Sequence, residues 1–241
     1  MLRKTVAVLL ITLLLSGCAN NFTENGENTD PAEKEQTESY FELYRSVLDE
    51  FYAVTIGKED STLDGTLGVS EAIIGLDSDD ALNSVGYIVT DISGDGVPEL
   101  VIGSVSDPSE TVIGTMIYAV YTVADGKAEF VLEGRIRSGY RPMKDGGLFY
   151  QGSSGAMYSI FGTYDIAENG SDLICRDYYF TFEKNAEKTE IGFFHNKTGE
   201  WNTLVSDELL ISSDEFWDIQ AELIKNVCRW ELEAFSVYTV Q

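Results

Sequence analysis

From Val85 onward, runs of β-branched and aromatic residues alternate with short turn sequences, and this pattern restricts the possible folds more than any other feature. Thr111 to Val123 is one such run, Ala124-Asp125-Gly126-Lys127 has the chemistry of a hairpin turn, and Ala128 to Ile136 returns. Lys144-Asp145-Gly146-Gly147 leads into Leu148 to Gln151, Ala156 to Ile166 follows, and Glu168-Asn169-Gly170-Ser171 leads into Leu173 to Glu183. Glu190 to His195 is a further strand before Lys197-Thr198-Gly199. Turn-separated strands in sequence make an antiparallel meander. Alternation from Trp230 to Val237 predicts a last strand.

Two helices frame this region. Asp30, Pro31 and Glu33 form a helix start, and Tyr40, Phe41, Tyr44, Val47, Leu48, Phe51 and Tyr52 recur at three- and four-residue spacing before a stop at Gly57. This stripe predicts an amphipathic helix lying on the domain's own sheet. Ser212 with Glu215, or Ser213, caps a second helix whose stripe is Phe216, Ile219, Leu223 and Val227. Lys58 to Ser84 has no long periodicity and reads as an irregular connection with a helical turn at Ser70 to Ile74. Its Asp77, Asp79 and Asp80 read as a solvated acidic loop. The fold class expected is therefore α+β: an antiparallel β-meander with an N-terminal amphipathic helix and a C-terminal helix packed on it.

The densest chemistry lies in Asp91-Ile-Ser-Gly-Asp-Gly-Val-Pro-Glu-Leu100, between Val85 to Thr90 and the apolar Leu100 to Ile102. Asp91, Ser93 and Asp95 offer side-chain oxygens at alternate positions, Gly96 permits a sharp turn, and the Val97 carbonyl and Glu99 follow. Calcium takes six to eight oxygens at about 2.3 to 2.6 Å, and such a loop can wrap them round one point. The twelfth position of an EF-hand, a bidentate Glu, is here Ile102, so the loop is not a full EF-hand. It resembles the shorter calcium loops of FG-GAP and VCBS repeats, with strands on either side. A plain turn in which Asp and Gly serve only the backbone is the alternative.

Arg3 and Lys4 followed by the apolar run Thr5 to Leu15 form a targeting segment, too short to span a membrane. It ends in Leu15-Ser16-Gly17-Cys18, which resembles the bacterial lipobox. The resemblance implies a signal peptide over 1–17, diacylglycerol on Cys18 and attachment to the outer face of the cell membrane by lipid. Residues 18–37 are expected to form a tether, the helix-start signal falling inside it, and 38–241 a single α+β domain.

The chain has 41 acidic against 16 basic residues and a net charge of -25. Nucleic acid is thereby excluded as a partner, since it would repel such a chain. Cys18, Cys175 and Cys228 are too few and too widely spaced for a disulfide framework or a zinc site, and at most Cys175 and Cys228 pair. No catalytic constellation stands out. His195 is the only histidine, and Gly152-Ser153-Ser154-Gly155 is neither a nucleophile elbow nor a phosphate loop. A surplus of tyrosines in strands, Tyr118, Tyr121, Tyr150 and Tyr158 among them, suggests an aromatic face able to stack on a glycan or grip a protein.

The leader, the tether, the aromatic helix, the Asp91 loop, the Tyr118 and Tyr121 hairpin turning at Asp125 to Lys127, and Gly152 to Ala156 with Tyr158 together resemble a group of lipoproteins of Gram-positive bacteria. Ser93 departs from the Asn or Asp usual in that group's loop. The resemblance implies location and a structural calcium ion, not an activity. The expectation is a non-catalytic, lipid-anchored domain binding a cell-envelope or extracellular ligand. An envelope glycan hydrolase working through paired carboxylates is the alternative.

Overall fold

The computed structural model describes residues 31–57, 61–105, 114–155, 157–187 and 189–240. The expected signal peptide, Cys18 and most of the expected tether fall outside them. Helix α1 spans Pro31–Thr55, so it starts where Pro31 would place it and runs through the last third of that tether.

Strands β1 (Val85–Thr90), β2 (Glu99–Ser104), β3 (Ile117–Ala124), β4 (Lys127–Glu133), β5 (Ser138–Pro142), β6 (Leu148–Gly155), β7 (Tyr158–Ile166), β8 (Leu173–Glu183), β9 (Ile191–Asn196), β10 (Asp207–Leu209) and β11 (Glu233–Ala234) form one antiparallel sheet. Its order is β10-β9-β8-β7-β6-β5-β3-β2-β1-β11, with β4 on β3 off this path. The expected meander is thus present, with one strand more than anticipated before Leu148. Arg135 and Ser138 exchange backbone hydrogen bonds of 2.9 and 3.2 Å, so Ile136-Arg137 is a two-residue turn that splits the expected Ala128 to Ile136 run from β5.

Two further helices, α2 (Thr66–Ala72) and α3 (Ser78–Ser84), occupy the stretch expected to be irregular. The Asp77 side chain caps α3 by accepting from the Asp80 amide at 2.9 Å, which gives that acidic cluster a backbone role. The expected last strand is cut to Glu233–Ala234, because Phe235–Val237 makes a 3-10 turn. That turn sets Phe235 and Tyr238 on one side, against Tyr87 at 5.3 and 5.7 Å between ring centroids.

One face of the sheet carries both long helices. At one end Tyr44, Leu48 and Phe51 of α1 bury against Tyr87, Leu100, Ile102 and Tyr121. At the other, α4 (Ser213–Ile224) has the expected capping box between Ser212 and Glu215 and drives Phe216 between Phe161 and Phe193, at 5.0 and 4.6 Å. Among the described residues no helix packs on the opposite face. Its Val101, Val120, Leu148, Tyr164, Tyr178 and Phe180 cluster with one another, which requires the sheet to curl on itself. The β7–β8 turn meets β2 and β3 across that curl: a Cβ on Gly170 would lie 2.6 Å from Thr122 Oγ1 and 2.9 Å from Glu99 Oε1.

Candidate functional site

The loop from Asp91 to Pro98 joins Thr90 and Glu99, which are paired across β1 and β2. Asp91 folds it: Oδ1 accepts from the Gly94 amide at 2.7 Å and Oδ2 from the Gly96 amide at 3.0 Å. Asp95 Oδ1 accepts from the Val97 amide at 2.6 Å, and Ser93 Oγ accepts from the Asp95 amide at 3.4 Å. Gly94 and Gly96 have φ of +82° and +87°, where a side chain would be strained. Tyr44 of α1 braces the far end, donating to the Pro98 carbonyl at 2.8 Å.

Asp91, Asp95 and Glu99 each bring one carboxylate oxygen to within 4.8 Å of the others. The three acids expected to converge do so, with Ser93 bonded to Asp91 and Val97 bonded to Asp95 inside the same loop. Asp91 is half-buried and Asp95 exposed, whereas Glu99 is wholly buried. Its Oε2 accepts from the amides of Ile92 at 2.8 Å and Ser93 at 3.3 Å. Its Oε1 has no hydrogen-bond partner. Burial pushes the Glu99 carboxyl up to about 7; the Ile92 and Ser93 groups oppose that rise and the Asp91 charge adds to it. Such a carboxyl is neutralised in place by a proton or by a cation.

The tyrosines do not make a shared outer face. Tyr118 and Tyr121 are buried beneath α1, which corrects their reading as ligand-binding residues. Ile102 pairs with Ala119 and Gly103 with Ile117, so Tyr118 is the extra residue of a bulge, and alternation along β3 breaks there. The Tyr121 hydroxyl bonds the Asp64 carbonyl, and its ring meets Phe51 edge-on at 6.1 Å. Tyr150 stands on the curled inner face against Tyr140 and Tyr164, at 4.9 and 6.0 Å. Tyr158 is half-buried with Trp201 and Phe182, at 5.2 and 6.2 Å.

His195 Nε2 lies 2.9 Å from Asp177 Oδ1, and the ring rests on Tyr179 at 4.6 Å; no described hydroxyl bonds its other nitrogen. Cys175 is a free thiol, so it does not pair with Cys228. Two of the hollows at the surface of the described residues stand out. A larger one, about 720 Å3, lies beside Asp64, Phe130 and Glu133, with Glu133 bonded to Arg135 at 3.1 Å. A smaller one, about 310 Å3, is lined by Arg137, Arg141 and Trp217, none of which sequence reasoning singled out. The signal available was three arginines, Arg135, Arg137 and Arg141, within seven residues of an otherwise acidic chain. Glu99 lines neither hollow. Compared with known protein families, curated proteins and solved structures, the chain shows no significant match.

Proposed function

We propose that this chain is a non-catalytic, lipid-anchored domain on the outer face of the cell membrane, which presents a binding surface to the cell envelope and is braced by calcium in the Asp91 loop. The observation that carries the ion is the convergence of Asp91, Asp95 and Glu99, one of whose oxygens is buried without a partner. Asp91, Ser93, Asp95, the Val97 carbonyl and Glu99 would supply the oxygens, and a hard cation would neutralise the carboxyl that burial otherwise keeps protonated. The ion's part is structural: it ties Glu99, the first residue of β2, to the end of β1. The anchor rests on Leu15-Ser16-Gly17-Cys18.

Melting of the full-length chain during calcium titration tests the ion. For a dissociation constant on the order of 0.1 mM, about 1 mM calcium stabilises the fold by roughly 1.4 kcal/mol, a rise of several degrees. Asp95→Ala abolishes the rise. An unchanged melting temperature up to several millimolar leaves the loop as a turn. Labelled palmitate in the producing bacterium tests the anchor: the wild type takes up label and stays with the membrane fraction, and Cys18→Ser does neither. Label retained by Cys18→Ser would refute lipidation at that cysteine.

A further inference from the structure

Between the ends covered by α1 and α4, the helix-bearing face of the sheet leaves the smaller hollow open. Arg141 and Gln151 lie on its floor, with Gly139 paired to Gln151 across β5 and β6. Ser159 of β7 closes one side, Trp217 and Gln220 of α4 rise beside it, and Arg137 reaches it from the β4–β5 turn. The Gly152 to Ala156 stretch noted in the sequence supplies Gly152 and Ser153 to the same wall.

The charge of this hollow is the reverse of the chain's. Acidic residues outnumber basic ones by 41 to 16, yet two arginines and, among the described residues, no carboxylate line the hollow. Arg45 pairs with Glu42, Arg135 with Glu71 and Glu133, and Arg176 with Asp145 and Asp165. Arg137 and Arg141 form no ion pair with any described residue, and Arg141 Nε is buried without a hydrogen-bond partner. A guanidinium keeps its proton, so one left unpaired and partly desolvated is a standing cost in the free protein. Burial pulls the Arg141 pKa down.

We infer that this hollow is a binding site for a small sugar carboxylate, its acid group held by Arg141 and Arg137 and its ring set beside Trp217. A guanidinium fork matches a carboxylate in two parallel hydrogen bonds. Gln151, Gln220 and Ser159 offer donors and acceptors for hydroxyls, and an indole face suits the apolar side of a sugar ring. The volume accommodates one ring and not a chain of them. The field of the acidic surface repels polyanions, so a ligand of single negative charge is favoured. This site is separate from the Asp91 loop and does not depend on calcium there.

Calorimetric titration of the calcium-free full-length chain with D-glucuronate tests the inference, with D-glucose, acetate and inorganic phosphate as comparisons. Saturable one-to-one binding of glucuronate is expected, with D-glucose and acetate each weaker by about tenfold or more. Arg141→Gln lowers glucuronate affinity about tenfold or more while its melting temperature equals or exceeds the wild type's, because an unpaired charge is gone. Glucuronate also changes Trp217 emission, and Trp217→Phe removes that change. Arg137→Gln decides if Arg141→Gln does not fold, by the same loss of affinity. No saturation by about 20 mM glucuronate, equal binding of D-glucose, tighter binding of phosphate, or wild-type affinity in the arginine variants would each overturn it.

Discussion

Glu99 and Arg141 both carry a buried atom with no hydrogen-bond partner, Oε1 in one and Nε in the other. Their surroundings differ in a way that separates a fold feature from a surface feature. Glu99 is wholly inaccessible, has two loop amides on Oε2, and sits beneath the Gly170 backbone. A carboxyl can also take up a proton, so its charge can be removed without moving anything. Arg141 lies at an open hollow with solvent on one side and cannot lose its charge at any ordinary pH. The carboxyl is therefore read as part of what holds β1 to β2, and the guanidinium as a group waiting for something from outside.

The comparison breaks most readily at Glu99. Glu99→Ala removes the acceptor of the Ile92 and Ser93 amides and leaves a void under the β7–β8 turn, so chemical denaturation of the metal-free protein should show a loss of about 2 to 4 kcal/mol. A loss below about 0.5 kcal/mol would mean that the loop holds itself. The next effect is in pH. The carboxyl rises from an ordinary 4.5 to about 7 on folding, so the folded state keeps a proton that the unfolded state has released. Stability from this group is unimpaired below the ordinary value and falls as pH rises towards 7, by an amount on the order of 3 kcal/mol. Denaturation at pH 4.5 and 7.5 should show this fall in the wild type and not in Glu99→Gln; equal slopes would refute the burial argument. Asp91 is the group whose charge adds to the rise, while the Ile92 and Ser93 groups oppose it. The smallest effect is expected at the other pole. Arg141→Met should change stability by about zero, or raise it by up to about 1 kcal/mol, since a hydrophobic stem replaces an unpaired charge. A loss above about 2 kcal/mol would show that Arg141 is structural after all.

The same contrast explains what the sequence shows. The Asp91 loop is local: every oxygen that converges belongs to one nonapeptide, and the spacing that makes the turn also brings the acids together. The cap of α4 was legible for the same reason, Ser212 and Glu215 being three residues apart. Of the short helices, only the end of α2 was anticipated, as a turn at Ser70 to Ile74, and α3 was not, because seven residues are too few to display a period, although Asp77 three residues before Asp80 was a usable cap signal. The positions of Tyr118 and Tyr121 were hidden by the bulge in β3, which no pattern in that strand announces. The arginine hollow is assembled from the β4–β5 turn, β5, β6, β7 and α4, so only charge clustering hints at it before the chain is folded.

The claim that matters most is that the Asp91 loop holds calcium, and calorimetric titration of the metal-free full-length chain at pH 6 and pH 7.5 tests it most directly. One calcium per chain is the predicted stoichiometry, with tighter binding at pH 7.5 because the ion displaces the Glu99 proton, and with the heat abolished by Asp95→Ala. No heat at either pH, or the same heat in Asp95→Ala as in the wild type, would contradict the account.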